Sequence, residues 1–176
     1  MKAKLDSRFS QATEPVTWAE VSDALTRAEL YWFTSVRKDG RPHVTPMVGV
    51  WMGEFFVFCT GPTEQKGLNL ANNNNIAVTT GTNTWKAGLD IVLEGTALRV
   101  TGRAELRALA DAYRAKYGQD WDFENDDEVF NPQQQGAHVF RVVPDKIIAF
   151  AKSPHGQTTF RPVGAKRPGD QAGPSK

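Results

Sequence analysis

Between Leu30 and Ala151 the chain is cut into short segments by turn-forming pairs, and this punctuation favours strands over long helices. Leu30 to Arg37 alternates, with Leu30, Trp32, Thr34 and Val36 on one face. It ends at Lys38-Asp39-Gly40-Arg41, where Asp-Gly tolerates the positive φ of a tight hairpin. A second strand is expected from about His43 to Met52. After Gly53-Glu54 comes a third, Phe55 to Thr60, whose unbroken apolarity implies burial on both faces. A fourth starts near Ile76 and reaches about Thr82. A long fifth covers about Asp90 to Thr101, with Gly95 marking a bulge or a close backbone approach. Two closing strands, His138 to Val143 and Lys146 to Ala151, flank a turn at Pro144-Asp145.

Helical signals fall between these runs. Thr17-Trp18-Ala19-Glu20 reads as a capping box opening a helix to about Ala28, with Trp18, Val21 and Leu25 on its apolar face. Thr63 is expected to cap a short helix around Glu64 to Asn72. Arg103 to Tyr117 carries a stripe of Leu106, Leu109, Ala110, Tyr113 and Tyr117, and Gly118 is placed to end it. The polar stretch Gln119 to Gly136 is too long for an ordinary connection and reads as a lid, a binding loop or a partly disordered segment. The expectation is therefore a mainly β fold: an antiparallel barrel of about seven strands, closed or partly closed, with two or three peripheral helices. One domain spans 1–162, and the Gly-, Pro- and charge-rich tail 163–176 is expected to be disordered.

Charge and motif content narrow the chemistry. Lys and Arg total 21 against 20 acidic residues, a net charge of +1, so neither nucleic acid nor an anionic membrane is an expected partner. No apolar run approaches the roughly 20 residues of a membrane helix. No charged-then-apolar leader opens the chain and Cys59 is its only cysteine, which makes a cytoplasmic location the expectation. His43, His138 and His155 are scattered, so no metal site is expected. The glycine-rich dinucleotide fingerprint, the P-loop and the serine-hydrolase elbow are all missing.

Thr60-Gly61-Pro62-Thr63-Glu64-Gln65-Lys66 is the informative segment. A strand end with hydroxyls turns into a helix start and delivers a lysine, a combination of amides, dipole and ammonium that suits a phosphate. The plainer reading, a capped turn with Lys66 solvated, is the commoner outcome for such turns, and Glu64 opposes an anion unless its side chain points away. Trp51 and Trp85 are candidates for stacking on a ring or substrate, although aromatics near strand ends more often serve the core or a dimer contact. His43, beside a turn, is a minor candidate proton donor, and Cys59 reads as a buried, inert thiol.

The phrases Asp39-Gly40-Arg41-Pro42-His43-Val44-Thr45-Pro46, Val50-Trp51, Phe58-Cys59-Thr60-Gly61, Lys66 with Asn69-Leu70, and Phe150 with Gln157-Thr158 resemble, in order and spacing, the pyridoxamine 5'-phosphate oxidase-like split-barrel flavoproteins. Their flavin- or deazaflavin-dependent oxidoreductase branch is the nearest, and the resemblance covers about Val16 to Pro162. It implies a six-stranded or similar FMN-binding split barrel and a two-fold homodimer with two cofactor sites between the subunits. Carried over, Thr60, Gln65 and Lys66 would hold the phosphate, and Thr45, Pro46, Met47, Val48, Gly49 and Val50 would run along the ring. The second subunit would contribute Thr80 to Asn83 and the stretch from Lys152 through Gln157 to Arg161. The chain departs from the family where a Ser often stands at Glu64, an Arg at Gln65, and further Arg residues at Leu68 and Thr159. These departures thin the positive charge of the cradle.

The resemblance implies hydride transfer between a bound cofactor, coenzyme F420 or FMN, and a small organic substrate, with the chemistry carried by the cofactor and no catalytic side chain. The order of phrases favours F420. Two alternatives stand beside this: a non-catalytic carrier or sensor of flavin, F420 or haem on the same barrel, and an interaction protein that has lost the ligand.

Overall fold

The computed structural model describes residues 1–163, so the expected tail beyond Val163 lies outside the described residues. Nine antiparallel strands form one sheet: β1 (Lys2–Leu5), β2 (Tyr31–Val36), β3 (Pro42–Met47), β4 (Val50–Trp51), β5 (Phe56–Thr60), β6 (Asn75–Gly81), β7 (Leu89–Val100), β8 (His138–Lys152) and β9 (His155–Arg161). Three helices accompany them: α1 (Trp18–Arg27), α2 (Gln65–Leu70) and α3 (Arg103–Tyr117). The order β1-β9-β8-β7-β6-β2-β3 leaves the sheet open, with β4 and β5 branching from β8. The expected mainly β split barrel is what the chain forms.

The branch explains β5. Phe56 and Phe58 face one core with Tyr31, Phe33, Ile91 and Ile147, while Val57 faces a second with Leu106, Tyr113 and Phe130. A strand between two cores has no solvent face, which is why its sequence does not alternate. The first half of β8 pairs with β5, Thr60 standing opposite His138, and its second half pairs with β9. The two expected closing strands are thus one continuous strand. Pro144-Asp145 is not a turn: Glu94 pairs with Lys146 and Gly95 with Pro144, so Asp145 is the extra residue of a bulge. A Cβ on Gly95 would stand 2.7 Å from the Val143 carbonyl, and only glycine lets β7 follow β8 through the bulge.

Two further boundaries differ from expectation. β1 has no apolar alternation to announce it; it is an exposed edge strand on β9, with Lys2 opposite Arg161, and needs no apolar face. The second expected strand breaks at Val48-Gly49. The Gly49 carbonyl accepts from Lys116 Nζ at 3.1 Å and Tyr117 Oη at 2.8 Å, so α3 takes the bond a sheet neighbour would have made. Among the described residues β3 is an edge paired only with β2, and it carries Pro42 and Pro46.

The capping box of α1 is formed: the Thr17 amide donates to Glu20 Oε2 at 2.8 Å, and the Glu20 amide to Thr17 Oγ1 at 3.2 Å. Helix α2 is shorter than expected and its N-cap is Glu64, not Thr63. Gln119 to Gly136 is neither an open lid nor a slack loop. A 3-10 turn at Gln119–Trp121 leads to bridges Asn125 to Phe130 and Phe130 to Ala137, and the Phe123 and Phe130 rings stack at 4.6 Å against Tyr113 of α3.

This packing generates two expectations. Phe130→Ala should cost about 3–5 kcal/mol in denaturant unfolding and open the 119–136 segment to limited proteolysis. Lys116 is half-buried between the Tyr31 and Tyr117 rings, and burial lowers its ammonium to about 8 although Glu29 opposes the shift. The folded chain sheds this proton before the unfolded chain does, so stability should rise with pH from about 8 to about 10.5. Denaturant titrations should show that rise in the parent and lose it in Lys116→Met.

Candidate functional site

On the inner face of the β2–β3 pair, Ser35 stands opposite His43, Phe33 opposite Thr45 and Tyr31 opposite Met47. Helix α2 packs over β2, with Asn69 Nδ2 donating to Ser35 Oγ at 2.8 Å and Gln65 Nε2 to Asn69 Oδ1 at 2.8 Å. Two neighbouring inward atoms of β3, His43 Nδ1 and Thr45 Oγ1, are buried with no hydrogen-bond partner among the described residues. Burial depresses the His43 imidazole, and the positive charges of Arg37 and Lys66 depress it further. An electropositive corner is therefore built from the β2–β3 hairpin on one side and α2 on the other. A cavity of about 360 Å³ opens there, lined by Arg37, Lys38, Asp39, Arg41 and Gln65. Asp39 holds Arg41 at 2.6 Å, whereas Arg37, partly buried, forms no ion pair among the described residues.

Lys66 is not solvated. Its side chain is 16% exposed and its Nζ lies 2.6 Å from Glu64 Oε2. The other Glu64 oxygen accepts the Gly61 amide at 2.8 Å. Burial works to raise the Glu64 carboxyl, but Lys66, the Gly61 amide and the Thr60 hydroxyl outweigh it and hold the group below its ordinary value. Glu64 does not point away, and it takes the donors expected for a phosphate. At six residues α2 is also too short for a strong terminal dipole. Gly67 fixes the turn against the helix, since a Cβ there would meet the Gly61 carbonyl at 2.5 Å.

Thr60 is buried at the end of β5 and Gln65 is exposed beside Arg37. The stretch Thr45 to Val50 divides. Thr45 faces the electropositive corner, Pro46 faces solvent, and Met47, Gly49 and Val50 are buried with Val48 partly so. Trp51 is buried against Trp18, its indole donating to Ser22 Oγ at 3.0 Å, and serves the core. Burial pushes the Cys59 thiol up to about 12.

The residues expected from a second subunit lie elsewhere in the same chain. Thr80 is buried and donates to the Leu30 carbonyl at 3.0 Å. It lines a cavity of about 430 Å³ with Ala28, Leu30, Trp32, Leu89 and Ile91. Asn83 has a φ of 49° in the following loop, and Trp85 at its tip is 89% exposed. Lys152 pairs with Asp90 at 2.8 Å and bonds the Thr84 carbonyl, tying that loop to β8. Gln157 and Arg161 lie on β9, where the Gln157 amide donates to Ser10 Oγ and Arg161 stands opposite Lys2. The chain thus brings Gln65 beside Arg37 and Lys66 within electrostatic reach of His43, two residues before Thr45, and separately gathers Thr80, Asn83, Trp85 and Lys152. The six-residue β2 separates Arg37 from Leu30, a span of about 20 Å.

Sequence reasoning missed Arg37 and the outward face of β2 and β3. Leu30, Trp32 and Val44 are 55%, 53% and 54% exposed there. The Leu30, Trp32, Thr34, Val36 alternation carried the signal, because the inward phase is already filled by Tyr31 and Phe33. Among the described residues no cluster of His, Cys, Asp and Glu could hold a metal, and no helix is long and apolar enough to cross a membrane.

No curated protein matches the sequence. Solved structures do match its fold. An FAD-binding protein from Mycobacterium smegmatis is 22% identical with a TM-score of 0.52, over 83% of this chain and 96% of that one. An F420 reductase is 19% identical with a TM-score of 0.54, over 72% and 94%. HutZ, the haem storage protein of Vibrio cholerae, is 18% identical with a TM-score of 0.60, over 76% and 93%. Proteins of this fold thus include flavin, deazaflavin and haem binders, and at these identities the likeness carries the fold alone. Residues 17–150 match the pyridoxamine 5'-phosphate oxidase family, and with most of the split barrel inside that match, the chain belongs to that family.

Proposed function

We propose that the chain is a flavin- or deazaflavin-dependent oxidoreductase that works as a homodimer. The observation that carries this reading is the pair of unpartnered atoms on β3, His43 Nδ1 and Thr45 Oγ1. Buried polar atoms are almost always bonded, and these two sit in a row beside Arg37 and Lys66, where an anionic, polar ligand would complete them. The residues therefore fit the phosphate and polar chain of FMN, or of F420, better than they fit an apolar core. Lys66, Arg37 and Gln65 would hold the phosphate end, and His43 and Thr45 would bond the chain that follows it. A bound flavin or deazaflavin would supply hydride transfer to or from a small organic substrate. No side chain here is asked to act as a nucleophile, and the raised Cys59 thiol is unsuited to the part.

A second copy of the chain suits the outward face. Leu30, Trp32 and Val44 form an apolar patch on paired strands, which a two-fold partner would cover. The cavity at Thr80, Leu30 and Trp32, remote from Lys66 in one protomer, would then be available to the ring held by the other.

Purified protein incubated separately with FMN, FAD and F420 and freed of excess ligand should retain one of them at one per protomer. It should also run as a dimer by light scattering. Lys66→Ala should weaken retention roughly ten- to hundredfold, the worth of a charge-assisted bond. Turnover of the reduced cofactor with quinones or enones marks the oxidoreductase, and retention without turnover marks a carrier. Failure to bind any of the three overturns the assignment.

A further inference from the structure

Two donors of the electropositive corner converge on one oxygen pair that belongs to the protein itself. Glu64 receives Lys66 Nζ at 2.6 Å on one oxygen and the Gly61 amide at 2.8 Å on the other. The Thr60 hydroxyl also acts on this carboxyl, and Gly67 presses the turn that presents it. An ammonium and a backbone amide donating to one anion is the pattern in which a phosphate is bound. The carboxylate is nevertheless loosely held from the outside, because its own side chain is 52% exposed and it rests on a flexible two-carbon stem. Across the corner, Arg37 forms no ion pair among the described residues, and its charge acts on His43 as that of Lys66 does.

We infer that Glu64 is a specificity-determining residue: its carboxylate is an internal substitute for a phosphate, and a phosphate-bearing ligand enters by displacing it, with Arg37 replacing the Gln65 position as the second cation. This rests on the proposed cofactor site and names what governs entry to it. The competition has a direction. A ligand without a phosphate gains nothing from displacing Glu64, so the parent chain discriminates only weakly between a phosphorylated ligand and its dephosphorylated form. When the carboxylate moves aside it swings into solvent, where its charge is well hydrated, so displacement leaves no buried charge behind. Arg41 at the rim is already engaged by Asp39, whereas Arg37, partly buried beside Gln65, forms no ion pair among the described residues and can move onto the anion; Lys38 is exposed at the rim.

The test compares the parent with Glu64→Gln and with Glu64→Gln/Arg37→Gln. The probes are inorganic pyrophosphate, FMN and riboflavin, and binding is read by calorimetry and by the His43 ring resonances. Glu64→Gln should tighten pyrophosphate about tenfold or more and raise the FMN-to-riboflavin affinity ratio by a similar factor. Riboflavin itself should be unmoved. Adding Arg37→Gln should reverse the gain, and pyrophosphate should raise the His43 titration midpoint by neutralising its positive neighbours. Unchanged or weaker pyrophosphate binding in Glu64→Gln overturns the inference, provided the His43 resonances show the fold intact; should they not, Glu64→Ser supplies the same comparison. If pyrophosphate tightens while neither FMN nor riboflavin binds any variant, the anion seat stands and the flavin assignment falls.

Discussion

Strand β8 changes partners halfway along its length, and the rest of the molecule is arranged around that change. Over its first half it lies between β5 and β7, and over its second between β9 and β7. The switch is made at Asp145, where a single extra residue bends the strand and Gly95 opposite leaves room for the backbone. Because of it the sheet divides, two cores form in place of one, and β5 is sealed between them. The α2 turn that follows β5 is then delivered to the mouth of the β2–β3 pair, where the charged corner is built.

Much of this was legible in the chain. The capping box at Thr17 and Glu20, the stripe along α3 and the apolar run of β5 are local signals, and local physics decides them. Pro144-Asp145 misleads because the same residues make a turn when nothing stands opposite and a bulge when Gly95 does, and Gly95 is far away in sequence. β1 carries no apolar alternation since its energy comes from ladder bonds to β9. At the site, Lys66 and its turn were visible, but the orientation of Glu64 depends on the fold of the turn. The nearness of Arg37 to Gln65 depends on α2 lying over β2, which no spacing rule reports.

Charge shows the same limit. The sum of +1 describes a chain with no electrostatic character, yet Arg37, Lys38, Arg41 and Lys66 gather at one end of β2. The partial cancellation is local, with Asp39 on Arg41 and Glu64 on Lys66. What decides anion binding is which of these pairs an incoming ligand can break, and exposed or half-exposed pairs are weak enough to be broken.

The free edge of β3 has a further meaning. In an antiparallel strand, alternate amides point away from the neighbour, and Pro42, Val44 and Pro46 occupy one such phase. The prolines fit only where their missing N–H would have faced outward, so of three donors on that edge a single one, from Val44, remains to greet another strand. An open sheet of nine strands would otherwise be a template for its own extension. This rim is chemically blunted, so at β3 concentrated protein should associate through side-chain surfaces and not by strand addition.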